Sequence, residues 1–154
     1  LERGREMKTY YEIKTCKIRL AVSETEMKTI QDPESAVNIL RAIYADLDAD
    51  QEHFTILCLN KANKVTGFKT LFSGGQDMSI VDLKVLFRNA LLMGSTGLIL
   101  AHNHPSGNLN ASPEDLIITR KIIEGAKILD IKILDHIILG GNDSMSFREK
   151  GLIQ

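Results

Sequence analysis

A short apolar run, Thr96 to Ala101, leads straight into His102-Asn103-His104-Pro105-Ser106-Gly107 and then into Ser112-Pro113-Glu114-Asp115. The run is too short for a typical buried helix and apolar throughout, so it reads as a central strand covered on both faces. Ser112 ahead of Pro113 marks a helix start: serine accepts a backbone N–H at the cap, and proline tolerates the first helical position. Strand, tight loop and helix within about twenty residues belong to an α/β protein. Alternate residues of an extended chain face the same way, so His102 and His104 point together while Asn103 points away. Pro105 biases His104 towards extended geometry, which keeps that pairing, and Gly107 permits the turn that follows. Asp115 sits in the first helical turn, close to where the strand ended. Two imidazoles and a carboxylate can converge on a divalent zinc, and three protein ligands leave a fourth position open, as in catalytic sites.

The same residues allow plainer readings. A serine and an acid three residues later form an ordinary capping box. Histidines at strand ends are often structural. The conjunction of an H-x-H pair with a capped helix that returns an acid favours the metal reading. Two other zinc chemistries are excluded. A zinc deaminase needs H-x-E and a later P-C-x-x-C, and neither is present. H-E-x-x-H is absent as well.

The remaining chain supplies the scaffold. Asp32-Pro33 caps a helix in which Ala36, Val37, Leu40, Ile43, Tyr44 and Leu47 recur at helical spacing, ending near Asp48. His53 to Leu59 is an apolar strand, Asn60 to Lys64 a hairpin turn, and Val65 to Phe72 the returning strand with Gly67 as a bulge. Gly74-Gly75 breaks that strand, and Ile80-Val81 is a candidate short strand. Asp82 caps a second helix burying Val85, Leu86, Ala90, Leu91 and Met93 and ending at Gly94. The third helix, Pro113 to Leu129, turns Ile118, Ile122, Ala126 and Leu129 to one side. Ile131 to Leu139 is a strand, Gly140 to Asp143 a turn, and Ser144 to Phe147 a last short strand. Residues 1–31 read as a leader and an arm, with a strand over Tyr10 to Val22, a loop from Ser23 to Gln31 and Met7 as a candidate start. Residues 32–154 read as one domain, an α/β sandwich around a mixed sheet.

Composition narrows the function classes. A formal net charge of −1 gives no global field towards nucleic acid, although a local basic patch remains compatible with it. No apolar run approaches transmembrane length, and the charged N-terminus lacks the core of a signal peptide. Cys16 and Cys58 lie far apart in apolar surroundings without metal spacing, which suits reduced, buried thiols in a cytoplasmic protein.

The pattern His102-x-His104, then Ser112, then Asp115 resembles the JAMM motif of the JAB/MPN metalloproteases. Leu98 to Gly107, Leu134 to Gly140 and Ser146-Phe147 through Gly151-Leu152 resemble the RadC-like branch more closely, in a short form without the upstream helix-hairpin-helix region. The resemblance spans about residues 32–154. It implies a cytidine-deaminase-like three-layer α/β sandwich, with one zinc per chain on His102, His104 and Asp115. It also implies a glutamate at the start of a core strand, a place that Glu52 matches. On that implication Glu52 is the general base, Ser112 stabilises the oxyanion, and the reaction is hydrolysis of a peptide or isopeptide bond in a peptide or protein substrate by a metal-activated water. The alternative is a non-catalytic DNA-repair- or conjugation-associated binding module on the same fold. One departure is Asp82-Leu83, where many relatives have a proline after the cap. His53 is expected to face opposite Glu52 in a structural role. Asp135 and His136 also resemble family residues, with packing and strand pairing the first reading and support of the metal ligands the alternative.

Overall fold

Every residue of the strand His53–Leu59 (β1) is buried, which is why its sequence shows no polar–apolar alternation: both faces of the sheet are covered. In the computed structural model, residues 28–73 and 81–154 are described. The expected leader, the arm over Tyr10 to Val22, most of the following loop, Cys16, the Gly74-Gly75 break and Ile80 lie outside them.

The order is helix Pro33–Tyr44 (α1), β1, strand Val65–Ser73 (β2), helix Leu83–Leu92 (α2), strand Gly97–Asn103 (β3), helix Pro113–Ile128 (α3), strand Lys132–Gly140 (β4) and strand Asp143–Ser146 (β5). The strands form one sheet in the order β2-β1-β3-β4-β5. Only the β3–β4 pair is parallel, so the sheet is mixed, and α3 is the crossover that a parallel neighbour requires.

Strand parity sorts the core into two layers. Phe54, Ile56, Cys58, Leu98 and Leu100 pack with Leu86 and Ala90 of α2 and Ile118, Ile122 and Ala126 of α3. Leu57, Leu59, Ile99, Ala101, Ile137 and Leu139 pack with Ala36 and Leu40 of α1 on the other side. Each fully buried Leu, Ile or Phe among them contributes about 1.5–3 kcal/mol relative to exposure. The result is a three-layer α/β sandwich around a mixed sheet, as expected from the sequence. A smaller cluster of Ile138, Met145, Phe147 and Ile153 docks the C-terminal tail against Leu116 and Ile123 of α3.

Several local expectations change. The helix α1 stops at Tyr44, because Ala45 closes it onto Arg41 and the chain continues in tighter turns, with Leu47 N–H donating to Tyr44 C=O at 3.1 Å. The bulge does fall beside Gly67: Cys58 pairs with Gly67 but Leu59 with Val65, leaving Thr66 extra. A Cβ at Gly67 would overlap the methyl end of Met93, so the glycine lets the end of α2 close onto β2. Leu91 is 54% exposed and Leu129 38% exposed, contrary to expectation. In α2 the buried stripe is Leu86 and Ala90 with Phe87 packed against it. In α3 Leu129 is already the C-cap, and Ile131 takes the core position instead. Val81 is buried in the core but belongs to no strand, and Thr29 makes a single bridge to Lys64 within the expected loop.

Candidate metal centre

The antiparallel register Phe54↔His102 brings the start of β1 to the end of β3. Carried two residues further it sets Glu52 beside His104, and the Glu52 Oε1 to His104 Nε2 distance is 3.9 Å. His102 shares its face with Leu98 and Leu100, under α3, and that helix begins at the cap Ser112. The three expected ligands meet there. His102 Nε2 lies 3.0 Å from His104 Nε2 and 3.3 Å from Asp115 Oδ1, and His104 Nε2 lies 3.5 Å from Asp115 Oδ2. The three residues could hold a metal ion, with one ligand atom from each and all of these within 4.8 Å of one another.

The capping-box reading of the Ser112–Asp115 pair holds, and its geometry is compatible with the ligand reading. Asp115 N–H donates to Ser112 Oγ at 3.0 Å, and Ser112 N–H donates to Asp115 Oδ2 at 2.8 Å. This capping box fixes the carboxylate plane. It leaves Asp115 Oδ1 buried, without a hydrogen bond, and turned towards His102. The loop holds His104 in the same way: Nδ1 meets the Asn108 carbonyl at 2.6 Å. A carbonyl only accepts, so Nδ1 carries the proton and Nε2 presents its lone pair to the cluster. Gly107, at φ 79, makes the turn that brings this carbonyl round. The end of β4 seals the loop, since a Cβ at Gly140 would sit 2.7 Å from the Gly107 carbonyl oxygen.

Electrostatically the cluster calls for a cation. Burial opposes charge on Asp115, but the two imidazoles and the Ser112 N–H outweigh it and hold the carboxyl well below its usual range. The hydrogen-bonding Asp115 carboxylate pushes His104 up, against burial, whereas burial pushes His102 down despite Asp115. A proton on His104 or a metal among the three donors satisfies the same anion. The side chains of His102 and Asp115 are 0% and 1% exposed, whereas those of His104 and Glu52 keep 13% and 9%. The cluster therefore opens on the His104–Glu52 side. A cleft of about 320 Å³ also touches His104, but it is lined by Arg41, Tyr44, His53 and Asn103 on the α1 side and is bordered by neither Glu52 nor the other two candidate ligands.

Three residues near the site, Asn103, Asn108 and Thr119, were not assigned to it by sequence reasoning, and His136 only as an alternative to packing. Asn103 points away from the histidines, as its parity requires. Its amide spans the backbone around Glu52: Oδ1 accepts from His53 N–H at 2.8 Å, and Nδ2 donates to Gln51 C=O at 2.8 Å. The middle letter of H-x-H thus holds the strand start that carries Glu52. Asn103→Ala leaves both backbone groups without this partner. It should lower the free energy of unfolding by about 1–2 kcal/mol in a urea titration, with an unchanged m-value. Asn108 orients His104 as described. His136 packs against Phe147 and pairs within the sheet as expected. It also reaches a candidate ligand, the alternative raised for it: its Nε2 lies 2.8 Å from His102 Nδ1, and its Nδ1 2.6 Å from Thr119 Oγ1. It reaches there because β4 runs parallel to β3 with Leu100↔His136 in register. A polar residue inside an apolar buried strand was the available signal.

The other candidates stay outside the cluster. Asp135 serves the fold: Oδ1 accepts from the N–H groups of His136 and Arg148, and Oδ2 from the Ser146 hydroxyl at 2.6 Å. His53 turns to the α1 side, with Nε2 2.7 Å from the Asp48 carbonyl and its ring edge-on to Tyr44. Glu114 is exposed. Ser112 Oγ contacts the cap and makes no hydrogen bond to either histidine. Cys58 is a buried free thiol, and among the described residues no helix is long and apolar enough to cross a membrane.

Comparison with known proteins places this arrangement. The model of the RadC-like JAB domain matches residues 30–152. The chain is 36% identical to a UPF0758 protein of Roseiflexus castenholzii over 133 residues, 86% of this chain and 56% of that protein. It is 42% identical to a UPF0758 protein of Listeria monocytogenes over 130 residues (84% and 57%). With a UPF0758 protein of Flavobacterium johnsoniae the identity is 42% over 127 residues (82% and 55%). The matches thus span little more than half the length of these relatives. The matched span contains β1, β3 and α3, the elements that deliver Glu52, both histidines and Asp115, and on that span the chain belongs to the RadC-like JAB domain family.

Proposed function

We propose that the chain is a zinc-dependent hydrolase of peptide or isopeptide bonds. The observation that carries this reading is the spacing of the donors. Tetrahedral zinc with bonds of about 2.0–2.1 Å needs ligand atoms about 3.3 Å apart. His102 Nε2 and His104 Nε2 are 3.0 Å apart. The Asp115 carboxylate brings Oδ1 to 3.3 Å from the first and Oδ2 to 3.5 Å from the second, with one ligand atom from each residue all within 4.8 Å of one another. With Asp115 Oδ1 buried and bare and the His104 Nε2 lone pair aimed inward, the residues fit the ion. Zinc held there supplies Lewis acidity to a carbonyl and brings the pKa of a water towards neutrality.

The rest of the chemistry falls to the chain. Glu52, on the open side of the cluster, takes a proton from the attacking water and returns it to the leaving amine. Ser112 Oγ accepts from Asp115 N–H, which keeps its own proton for the oxyanion that develops on the attacked carbonyl. Burial of His102 and Asp115 keeps water from the inner side and strengthens these interactions. A peptide or protein substrate approaches from the His104–Glu52 side. A carboxylate beside the exposed edge of the donor set favours hydrolysis over a module that only binds. A link to DNA repair or conjugation rests on the family name and on no residue.

The test combines metal analysis with a cleavage screen. Protein purified under zinc-replete conditions should carry about one zinc per chain and cleave members of a peptide and isopeptide library. Substoichiometric zinc overturns the reading. Stoichiometric zinc without cleavage in either library replaces it with the binding module.

A further inference from the structure

We propose that His136 and Thr119 are positioning residues that lock His102 in its metal-binding tautomer and tie two of the three ligands into one closed loop. The proposal rests on the metal reading above and extends it to residues that touch no metal. The loop runs from His102 Nδ1 to His136 Nε2 (2.8 Å), from His136 Nδ1 to Thr119 Oγ1 (2.6 Å), and from Thr119 Oγ1 to the backbone carbonyl of Asp115 (2.5 Å). Its members are buried: His102 and His136 are 0% exposed, Thr119 1% and Asp115 0%.

The order of protons around the loop follows from its last link. The Asp115 carbonyl can only accept, so the Thr119 hydroxyl donates to it and has lone pairs left for its other neighbour. His136 Nδ1 therefore carries the donating proton. A neutral imidazole has one N–H, so His136 Nε2 is an acceptor. His136 is fully buried between Phe54 and Phe147, a setting that favours the uncharged ring. His102 Nδ1 must then be the donor, which leaves His102 Nε2 bare, and Nε2 is the atom facing His104 and Asp115. Reversing any link would put a proton on Nε2 and close the site to a cation. Water cannot easily take the place of His136, whose ring stacks on Phe147 (centroids 4.4 Å) and meets Phe54 edge-on (5.8 Å). Thr119 lies one helical turn beyond Asp115, so the same helix that presents the carboxylate also sets the tautomer of the facing imidazole.

The test is zinc affinity, measured by competition with a chromogenic chelator, together with the visible spectrum of the cobalt-substituted protein. Thr119→Val keeps the shape and removes the hydroxyl. It should weaken zinc about 10-fold and His136→Gln about 10–100-fold, the range found for partners of metal-bound histidines, with altered cobalt bands in both. Thr119→Ser should restore wild-type affinity and spectrum. Should His136→Gln fail to fold, the Thr119 pair carries the test alone. Wild-type affinity and an unchanged cobalt spectrum in Thr119→Val overturn the proposal while leaving the metal centre standing. A wild-type chain that binds no zinc overturns the metal reading and the purpose of the loop with it.

Discussion

Asp115→Asn should abolish tight zinc binding while leaving the metal-free fold about as stable as wild type. Asp115 has two separable jobs. Its backbone N–H and Oδ2 complete the capping box with Ser112, and its charge with the bare Oδ1 faces His102. Asparagine keeps an acceptor for Ser112 N–H and removes the charge. Losing a ligand must cost more than losing a ligand's partner, so affinity should fall by more than about 100-fold. Thermal unfolding with and without zinc reads this directly. A site that saturates at 1,000 times its Kd stabilises the native state by about 4 kcal/mol, and that gain should be present in wild type and missing in Asp115→Asn. Asp115→Ala should lose the gain and, in chelator, about a further 1 kcal/mol for the cap. A zinc-induced rise in Tm that survives Asp115→Asn would remove Asp115 from the ligand set.

The two variants separate because the motif is local, and the same locality explains what the sequence could reveal. Strand parity puts His102 and His104 on one face whatever the rest of the fold does, and a serine–proline cap returns Asp115 to them within one loop and one helical turn. The three-layer architecture was legible for a similar reason: β1, β3 and most of β4 are apolar on both faces, and the helices that cover them carry their own caps. Contacts between distant strands were not legible. Asn103 could be seen to point away from the histidines, but not to hold the backbone on both sides of Glu52, because that depends on the register of β1 against β3. The contact of His136 with His102 stood only as an alternative to packing, because an imidazole in an apolar strand has no address until β4 is set parallel to β3. Glu52 is an acid at a strand start, which local reasoning assigns to solvent, yet it is 8% exposed in the folded chain. Family resemblance alone singled it out. The errors at Leu91 and Leu129 have a different origin: helical periodicity continues for a turn past the point where the packing surface ends.

Glu52→Gln should leave zinc at about one per chain and reduce turnover by about 10²–10⁴-fold, the span attributed to a positioned acid or base. The substitution suits this site. Glutamine keeps the volume that fills the pocket at the start of β1, and Asn103 bonds the flanking backbone and not the side chain, so the clamp is untouched. The ability to take and return a proton is lost. Ser112→Ala is a weaker probe, since it also deletes the acceptor for Asp115 N–H and so mixes cap loss, about 1 kcal/mol, with any loss of oxyanion stabilisation. The outcomes of Glu52→Gln divide cleanly. Loss of zinc would make Glu52 a fourth ligand, leaving the centre closed and structural. Retained zinc with unchanged turnover would move the base elsewhere. Retained zinc with turnover lost is what a carboxylate 3.9 Å from a metal-facing histidine nitrogen, on the one side where the cluster meets solvent, is placed to produce.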